Sequence, residues 1–348
     1  MMDEYVDAKN TQQAWNSKEF EDIRTAFREG KKHPLCSTCW REESASGFSP
    51  RLGYSAQHRT LGHEEDYKAD AIHSVQWSFG NTCNFACRTC SLELSTGWLR
   101  ETRMQAQEGN KDAQILLEHH TKTQFDYDQW DEIKPILATV NHLELIGGET
   151  LINPRLPSVL EELADTDAHH ITLRITTNGS VGPRPQLTDA LSKFKGVCIT
   201  FSIDAVTDDL FSYVRTGSWP TVSANIDKWM QDKRFEYQAN CTWSVLNVWD
   251  CDRIMRHLDK RFNWDHVGWN WVQQPPCYNA CNLPDHIKQQ LESQSTYWRS
   301  KPVLANLWRQ PRSESQWQEF IQRTEWLDQS RSQPLEKFVP KLSEIIHT

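Results

Sequence analysis

The stretch Cys83-Asn84-Phe85-Ala86-Cys87-Arg88-Thr89-Cys90 decides how this chain of 348 residues is read. It places three thiols within eight residues, separated by three and then two intervening positions. It follows the β-prone run 72–79 (IHSVQWSF) and the turn formers Gly80-Asn81-Thr82, so it reads as a loop leaving a strand end. Thiols that close together on one loop can face one metal centre. Zinc sites usually take four ligands in paired CxxC form, and this spacing differs. Three thiolates on a 4Fe–4S cube leave one iron open to a further ligand.

Moving outward, β-prone runs recur at 142–146 (HLELI), 171–176 (ITLRIT), 197–203 (VCITFSI), 237–246 (YQANCTWSVL) and 266–273 (HVGWNWVQ). Between them lie helical patterns at 92–120, 128–139, 155–165, 186–194, 221–233 and 250–261. Strands alternating with helices predict parallel βαβ units, because parallel neighbours need crossovers. Either a barrel-like or an open doubly wound sheet satisfies the order. The segment 284–348, rich in Gln, Glu, Ser and Trp, predicts amphipathic capping helices. At the other end, Ser17–Gly30 (SKEFEDIRTAFREG) predicts a helix, with Phe20, Ile23 and Phe27 on one face and Gly30 as its stop. The polar Ser/Gly/Pro stretch from Trp40 to about Gly62 reads as loop.

Lys plus Arg number 38 and Asp plus Glu 47, a net charge of −9. That balance argues against general nucleic-acid binding, which needs a basic face. No run of 18 apolar residues predicts a membrane span, and the polar start MMDEYVDAKN does not read as a secretory signal. Ten cysteines without an export signal predict a reducing, cytoplasmic setting in which thiols bind metal or do redox chemistry.

The Cys-x3-Cys-x2-Cys loop after the first strand of an α/β chain resembles the radical S-adenosylmethionine (radical SAM) superfamily. The resemblance implies a 4Fe–4S cluster on Cys83, Cys87 and Cys90, with SAM chelated at the open iron. Reductive cleavage of SAM would then give a 5′-deoxyadenosyl radical that abstracts a hydrogen from substrate. Leu145-Ile146-Gly147-Gly148-Glu149-Thr150 resembles the family's GGE motif, which implies that Gly147, Gly148 and Glu149 hold the amino group of SAM. Thr176-Thr177-Asn178-Gly179-Ser180 resembles the TNG element, and Ser202-Ile203-Asp204-Ala205 the S-x-D element. Asn178, Ser202 and Asp204 are therefore expected at the cofactor, with Phe85 from the loop. Arg215 is expected at the SAM carboxylate, and Asn247 is a weaker candidate of the same kind. Thr89 stands where the family usually has an aromatic residue beside adenine, and Thr150 where it often has Pro.

Cys36-Ser37-Thr38-Cys39 is a second thiol pair. A thioredoxin-type dithiol needs a strand–CxxC–helix setting, which the Pro-rich turn fits poorly. A metal pair still lacks two ligands, and Cys277-x3-Cys281, after the last predicted strand, supplies them. The elements Trp15-Asn16-Ser17, Ile23-Arg24, Gly30, Cys36-x2-Cys39-Trp40 and Glu43 resemble the cysteine-bearing part of SPASM and twitch auxiliary domains, here placed before the barrel. An auxiliary 4Fe–4S cluster on Cys36, Cys39, Cys277 and Cys281 is the expectation. Cys198 and Cys241 read as core thiols.

The expected fold class is α/β: a partial (β/α)6 TIM-type barrel with an N-terminal auxiliary iron–sulfur region and C-terminal helices. The expected division is 1–70 auxiliary region, 71–275 barrel core and 276–348 auxiliary-ligand segment with capping helices. The expected function is a radical SAM enzyme acting near an auxiliary cluster, on a peptide or else on a sugar, nucleoside or small metabolite. It would draw on a one-electron donor such as flavodoxin or ferredoxin. A zinc-stabilised, non-catalytic binding protein is the alternative from another class.

Overall fold

The structure is a computed structural model that describes residues 11–46, 49–60, 71–78, 80–122, 130–166 and 168–346. Phe79, Gly62 and positions 128 and 129 of the predicted elements lie outside the described residues. The chain forms two compact units, one of residues 1–74 with 128–140 and one of residues 75–127 with 141–348.

In the first unit, α1 (Lys18–Arg28) begins where expected, because Ser17 Oγ accepts from the Phe20 N–H at 3.4 Å. A short 3-10 turn, Pro34–Cys36, leads into α2 (Ser37–Ser46), and α3 (Pro50–Thr60) follows. The loop expected after Trp40 is therefore corrected to two helices. The turn-forming residues punctuate helix ends instead of filling a loop. Pro50 occupies the first position of α3, where its missing N–H costs nothing, and Ser49 Oγ accepts from Leu52 N–H at 3.3 Å. A two-point ion pair, with Arg51 Nε and Nη2 each 2.9 Å from a Glu43 oxygen, ties α2 to α3.

The second unit is built on a six-stranded sheet: β1 (Ser74–Ser78), β2 (His142–Ile146), β3 (Thr172–Thr177), β4 (Gly196–Ser202), β5 (Glu236–Trp243) and β6 (Val267–Trp271). Spatial order equals chain order, and β2 through β6 pair in parallel. Successive crossovers without a reversal curl the sheet into a partial (β/α)6 barrel. The crossovers carry α4 (Leu99–Gln107), α5 (Lys111–Lys122), α6 (Leu156–Asp165), α7 (Pro185–Leu191), α8 (Asp208–Arg215), α9 (Trp219–Met230) and α10 (Cys251–Arg261). After β6 come α11 (Asp285–Gln294), α12 (Glu314–Arg331) and α13 (Pro340–Ile346), in the segment expected to be helical.

Burial alternates along the strands. Leu143, Leu145, Leu173, Ile175, Ile199, Phe201, Cys241 and Trp243 are fully buried, as are Leu160 of α6, Leu191 of α7, Trp229 of α9 and Leu258 of α10. Each such side chain contributes about 1.5–3 kcal/mol by leaving water. The intervening residues of β3, β5 and β6 are partly open, which marks the concave face, while β4 is the exception and is buried from Val197 to Phe201. The helix expected at 92–120 is corrected to α4 and α5, because Gly109 takes φ +92° and Asn110 Oδ1 caps the Ala113 N–H at 3.0 Å. The helix expected at 128–139 is, where described, one α-turn followed by a 3-10 stretch at Lys134–Thr139, as Pro135 forbids continuation. No described helix is long and apolar enough to cross a membrane.

Candidate functional site

The last turn of a helix leaves carbonyls without intrahelical partners. At the end of α8 these carbonyls become the seat of the cysteine loop. Val214 O accepts from the Arg88 N–H at 2.8 Å, Tyr213 O from Arg88 Nε at 2.9 Å, and Arg215 O from the Cys87 thiol at 3.7 Å. Thr216, in the left-handed region at φ 62°, closes the helix, and its Oγ1 accepts from Ala86 N–H at 2.7 Å. Phe85 is buried, with its ring against Gly217 and edge-on to Phe211 at 6.2 Å. It anchors the loop to α8, whereas the resemblance implied a place at the cofactor.

The loop is joined to the end of β2 through Gly147 and Gly148. The Glu149 N–H donates to Thr82 O at 2.8 Å, which puts the turn against the residue before Cys83. At Gly148, φ is +47° and an added Cβ would lie 2.3 Å from Thr82 O, so only glycine permits this approach. Glu149 is wholly buried. Its Oε1 accepts from Thr177 Oγ1 at 2.7 Å and Leu151 N–H at 3.1 Å, and its Oε2 from Asn178 N–H at 2.5 Å. The carboxylate thus turns inward and ties β2 to β3. The Asn178 amide reaches back to Asn84 Oδ1 at 3.0 Å and to Cys83 Sγ at 3.9 Å.

Burial pushes the Glu149 carboxyl above its ordinary value, opposed by the three donors and the Arg215 charge. The folded chain therefore takes up a proton where the unfolded carboxyl is already ionised. Acidification from neutral pH toward that ordinary value should stabilise the wild type relative to Glu149→Gln, levelling off below it. At pH 7 the Gln variant should lose about 1–3 kcal/mol from the mismatched Asn178 donor. Urea melts at pH 7 and pH 5 check both, and a gap that does not change with pH would contradict a Glu149 carboxyl raised by burial.

At the ends of β4 and β5, Asp204 forms a buried ion pair with Arg215 and accepts from Thr242 N–H at 2.8 Å. Asn247 is saturated internally. It donates to Asp204 O and Thr242 O, both at 2.9 Å, and accepts from Ser244 N–H at 2.8 Å. Ser202 stands on the open face, and no hydrogen bond to its hydroxyl occurs among the described residues. Burial pushes the Cys87 thiol up to about 12 and Cys90 up to about 11, with the other loop thiols adding and Arg215 opposing. Such thiols keep their protons until a metal displaces them.

These residues suit a cluster with SAM on its open iron. The three thiols lie within mutual electrostatic reach, and the buried Arg215 guanidinium beside them keeps an unpartnered Nε. Thiol loop, GGE turn and TNG turn meet at the carboxyl ends of the strands, where such barrels place their chemistry. The thiol loop, the GGE turn and the TNG turn are the elements on which the sequence resemblance rests, and the partial barrel brings them together. Among the described residues, no three His, Cys, Asp or Glu side chains close around one point as a single metal ion requires.

No known sequence family matches the chain, and no curated protein matches it. Among solved structures, SuiB of Streptococcus suis bound to the precursor peptide SuiA is similar at 12% identity and TM-score 0.38, over 71% of this chain and 49% of that one. anSMEcpe with bound AdoMet and the Cp18Cys peptide is similar at 14% identity and TM-score 0.43, over 67% and 62% of the two chains. TYW1 with a lysine–pyruvate adduct is similar at 15% identity and TM-score 0.34, over 80% and 90%. The chain spans about half the length of SuiB. At this identity the likenesses bear on neither activity nor substrate.

The second set of cysteines divides between the units. Cys36 and Cys39 are half-buried in the first unit, and the Cys36 thiol is pushed up by burial and by the neighbouring Cys39. Cys277 and Cys281, in the second, are wholly buried. Cys277 lies beside Glu319 and Arg323, while the Cys281 thiol donates to Asn306 O at 3.5 Å.

One group escaped sequence reasoning. The register places Glu144, Arg174, Cys198 and Glu236 side by side across β2 to β5. Gln76 of β1 donates to Glu144 at 2.9 Å. Arg174 makes no ion pair among the described residues, and its Nε is buried without a partner. Above this belt lie Thr200, Gln238, Asn240 and Asn270 at the same strand parity. The alternation of HLELI and ITLRIT was the available signal, since it sets Glu144 and Arg174 opposite the apolar face.

Proposed function

We propose that this chain is a radical SAM enzyme that takes a hydrogen atom from a polar substrate, with a peptide as the leading class. The observation that carries the reading is the meeting of Thr82 and Glu149 at 2.8 Å, which brings the thiol loop and the GGE turn together at the strand ends. When bound, the cluster and SAM supply reductive cleavage to a carbon radical, with the electron coming from a one-electron donor such as flavodoxin or ferredoxin. Cys83, Cys87 and Cys90 would hold the iron, and Gly147 and Gly148 would offer backbone to the SAM amino group. Ser202 and Arg215 would complete the cofactor's polar contacts, with Asp204 orienting Arg215.

Anaerobically purified protein should be brown and form 5′-deoxyadenosine from SAM under reduction. A colourless, iron-free protein under those conditions would end the reading in favour of the zinc-stabilised alternative. About four irons per chain correspond to one cube. An auxiliary cube on Cys36, Cys39, Cys277 and Cys281 is proposed separately and raises the count to about eight. The half-buried Cys36–Cys39 pair supports it, while the packed Cys277 and Cys281 do not.

The concave wall supports a substrate with many donors and acceptors, which suits a peptide. Arg174→Met should leave substrate-free formation of 5′-deoxyadenosine unchanged. It should raise the KM for substrate about tenfold or more, the worth of one charge-assisted hydrogen bond. Equal KM values would remove Arg174 from the substrate wall.

A further inference from the structure

The far side of the cysteine loop is held by α12, and three arginines do the holding. Arg88, fully buried within the loop, lies 2.7 Å from Asp328 of α12 and 3.6 Å from the centre of the Tyr213 ring. Arg331 of α12 pairs with Glu101 at 2.9 Å and stands 5.0 Å from the Trp98 ring. Arg323 of α12 stands 5.0 Å from the same ring, and its Nη2 donates to Cys90 O at 3.3 Å. The Trp98 indole N–H in turn donates to Cys87 O at 2.9 Å. Leu327, on the same face of α12, packs with Leu92 and Trp98 in a cluster that Ala86 and Cys90 touch.

The charges in this set do not cancel. Arg88 and Arg331 each have a carboxylate partner, whereas Arg323 makes no ion pair among the described residues, Glu319 of α12 lying with it beside Cys277, and its Nε is buried without a hydrogen bond. A partly buried guanidinium left without a counter-charge is costly unless an anion stands near it. The neighbouring anion is supplied when Cys90 becomes a ligand. A cube in its 2+ state on three thiolates is a monoanion, and one electron from the external donor makes it a dianion.

We propose that Arg323 is a positioning residue for the Cys90 side of the loop and the counter-charge of the cluster, so that α12 sets how easily the cluster is reduced. The proposal rests on the radical SAM reading. A fixed positive charge beside the Cys90 ligand would favour the dianion over the monoanion and raise the reduction potential. A purely structural role for Arg323 would leave the potential where it is.

The test compares full-length wild type, Arg323→Gln and Arg323→Lys, reconstituted anaerobically, by iron content and by redox titration followed by electron paramagnetic resonance. Gln keeps a donor for Cys90 O but no charge, and Lys keeps the charge. Expected are near wild-type iron in both variants and, for Gln, a reduced-to-oxidised ratio about tenfold lower at the wild-type midpoint. That is a shift of about 59 mV to the negative for one electron. Lys should recover most of the shift. A Gln midpoint equal to the wild type's, a Lys midpoint as negative as Gln's, or loss of iron from both variants would overturn the proposal. A wild type that takes up no iron would instead sink the radical SAM reading itself.

Discussion

Replacing Cys83, Cys87 and Cys90 together by Ala should abolish formation of 5′-deoxyadenosine and remove one cube, about four irons per chain. The thiols sit on α8 through backbone contacts: Arg88 to Val214 and Tyr213, and Ala86 to Thr216. The sulfurs themselves make only long contacts: Cys83 accepts from Phe85 N–H at 3.4 Å and the Asn178 amide at 3.9 Å, and Cys87 and Cys90 donate to Arg215 O and Ser91 O, both at 3.7 Å. The barrel should therefore fold, with far-ultraviolet circular dichroism near that of the wild type, while activity falls to background. Undiminished cleavage of SAM by the folded triple variant would refute the cluster assignment.

Gly148→Ala should be nearly as severe for a different reason. The new methyl group would lie 2.3 Å from Thr82 O and 2.7 Å from Asn81 C, both backbone atoms that cannot swing aside. Overpacking costs about 1–3 kcal/mol, and a left-handed φ for a residue with a side chain costs about 1–2 more. The cheapest relief is to break the Glu149–Thr82 hydrogen bond and part the GGE turn from the thiol loop. The expected result is a destabilisation of about 2–5 kcal/mol with weakened SAM binding, read by denaturant melts and calorimetric titration. Wild-type SAM affinity in the variant would show that the contact does not shape the cofactor site.

Much of the barrel was legible because a parallel sheet buried on one face leaves strong apolar runs at regular intervals. HLELI and ITLRIT fell within a residue of β2 and β3. The helix α8 was missed, although it seats the whole loop. It is eight residues long, too short for a clear period, and two of its buried positions are Tyr213 and Arg215. The motifs named the residues but not their orientation. Glu149 was expected to face an ammonium and turns inward instead, because Thr177 and the backbone of Asn178 and Leu151 offer three donors that only the fold brings together. The concave belt was hidden for a similar reason, since Glu144 and Arg174 become neighbours only through strand register.

The clamp on the cysteine loop also fixes a schedule. Arg323 follows Cys90 by 233 residues, and Tyr213 follows Arg88 by 125. At about 5–20 residues per second, the ribosome needs roughly 12–47 s after making Cys90 to deliver Arg323. In the latter part of that interval the loop can lean on α8 but not yet on α12. Synthesis halted before Glu314 would yield a polypeptide carrying all three thiols and α8, but not the helix that holds the far side of the loop.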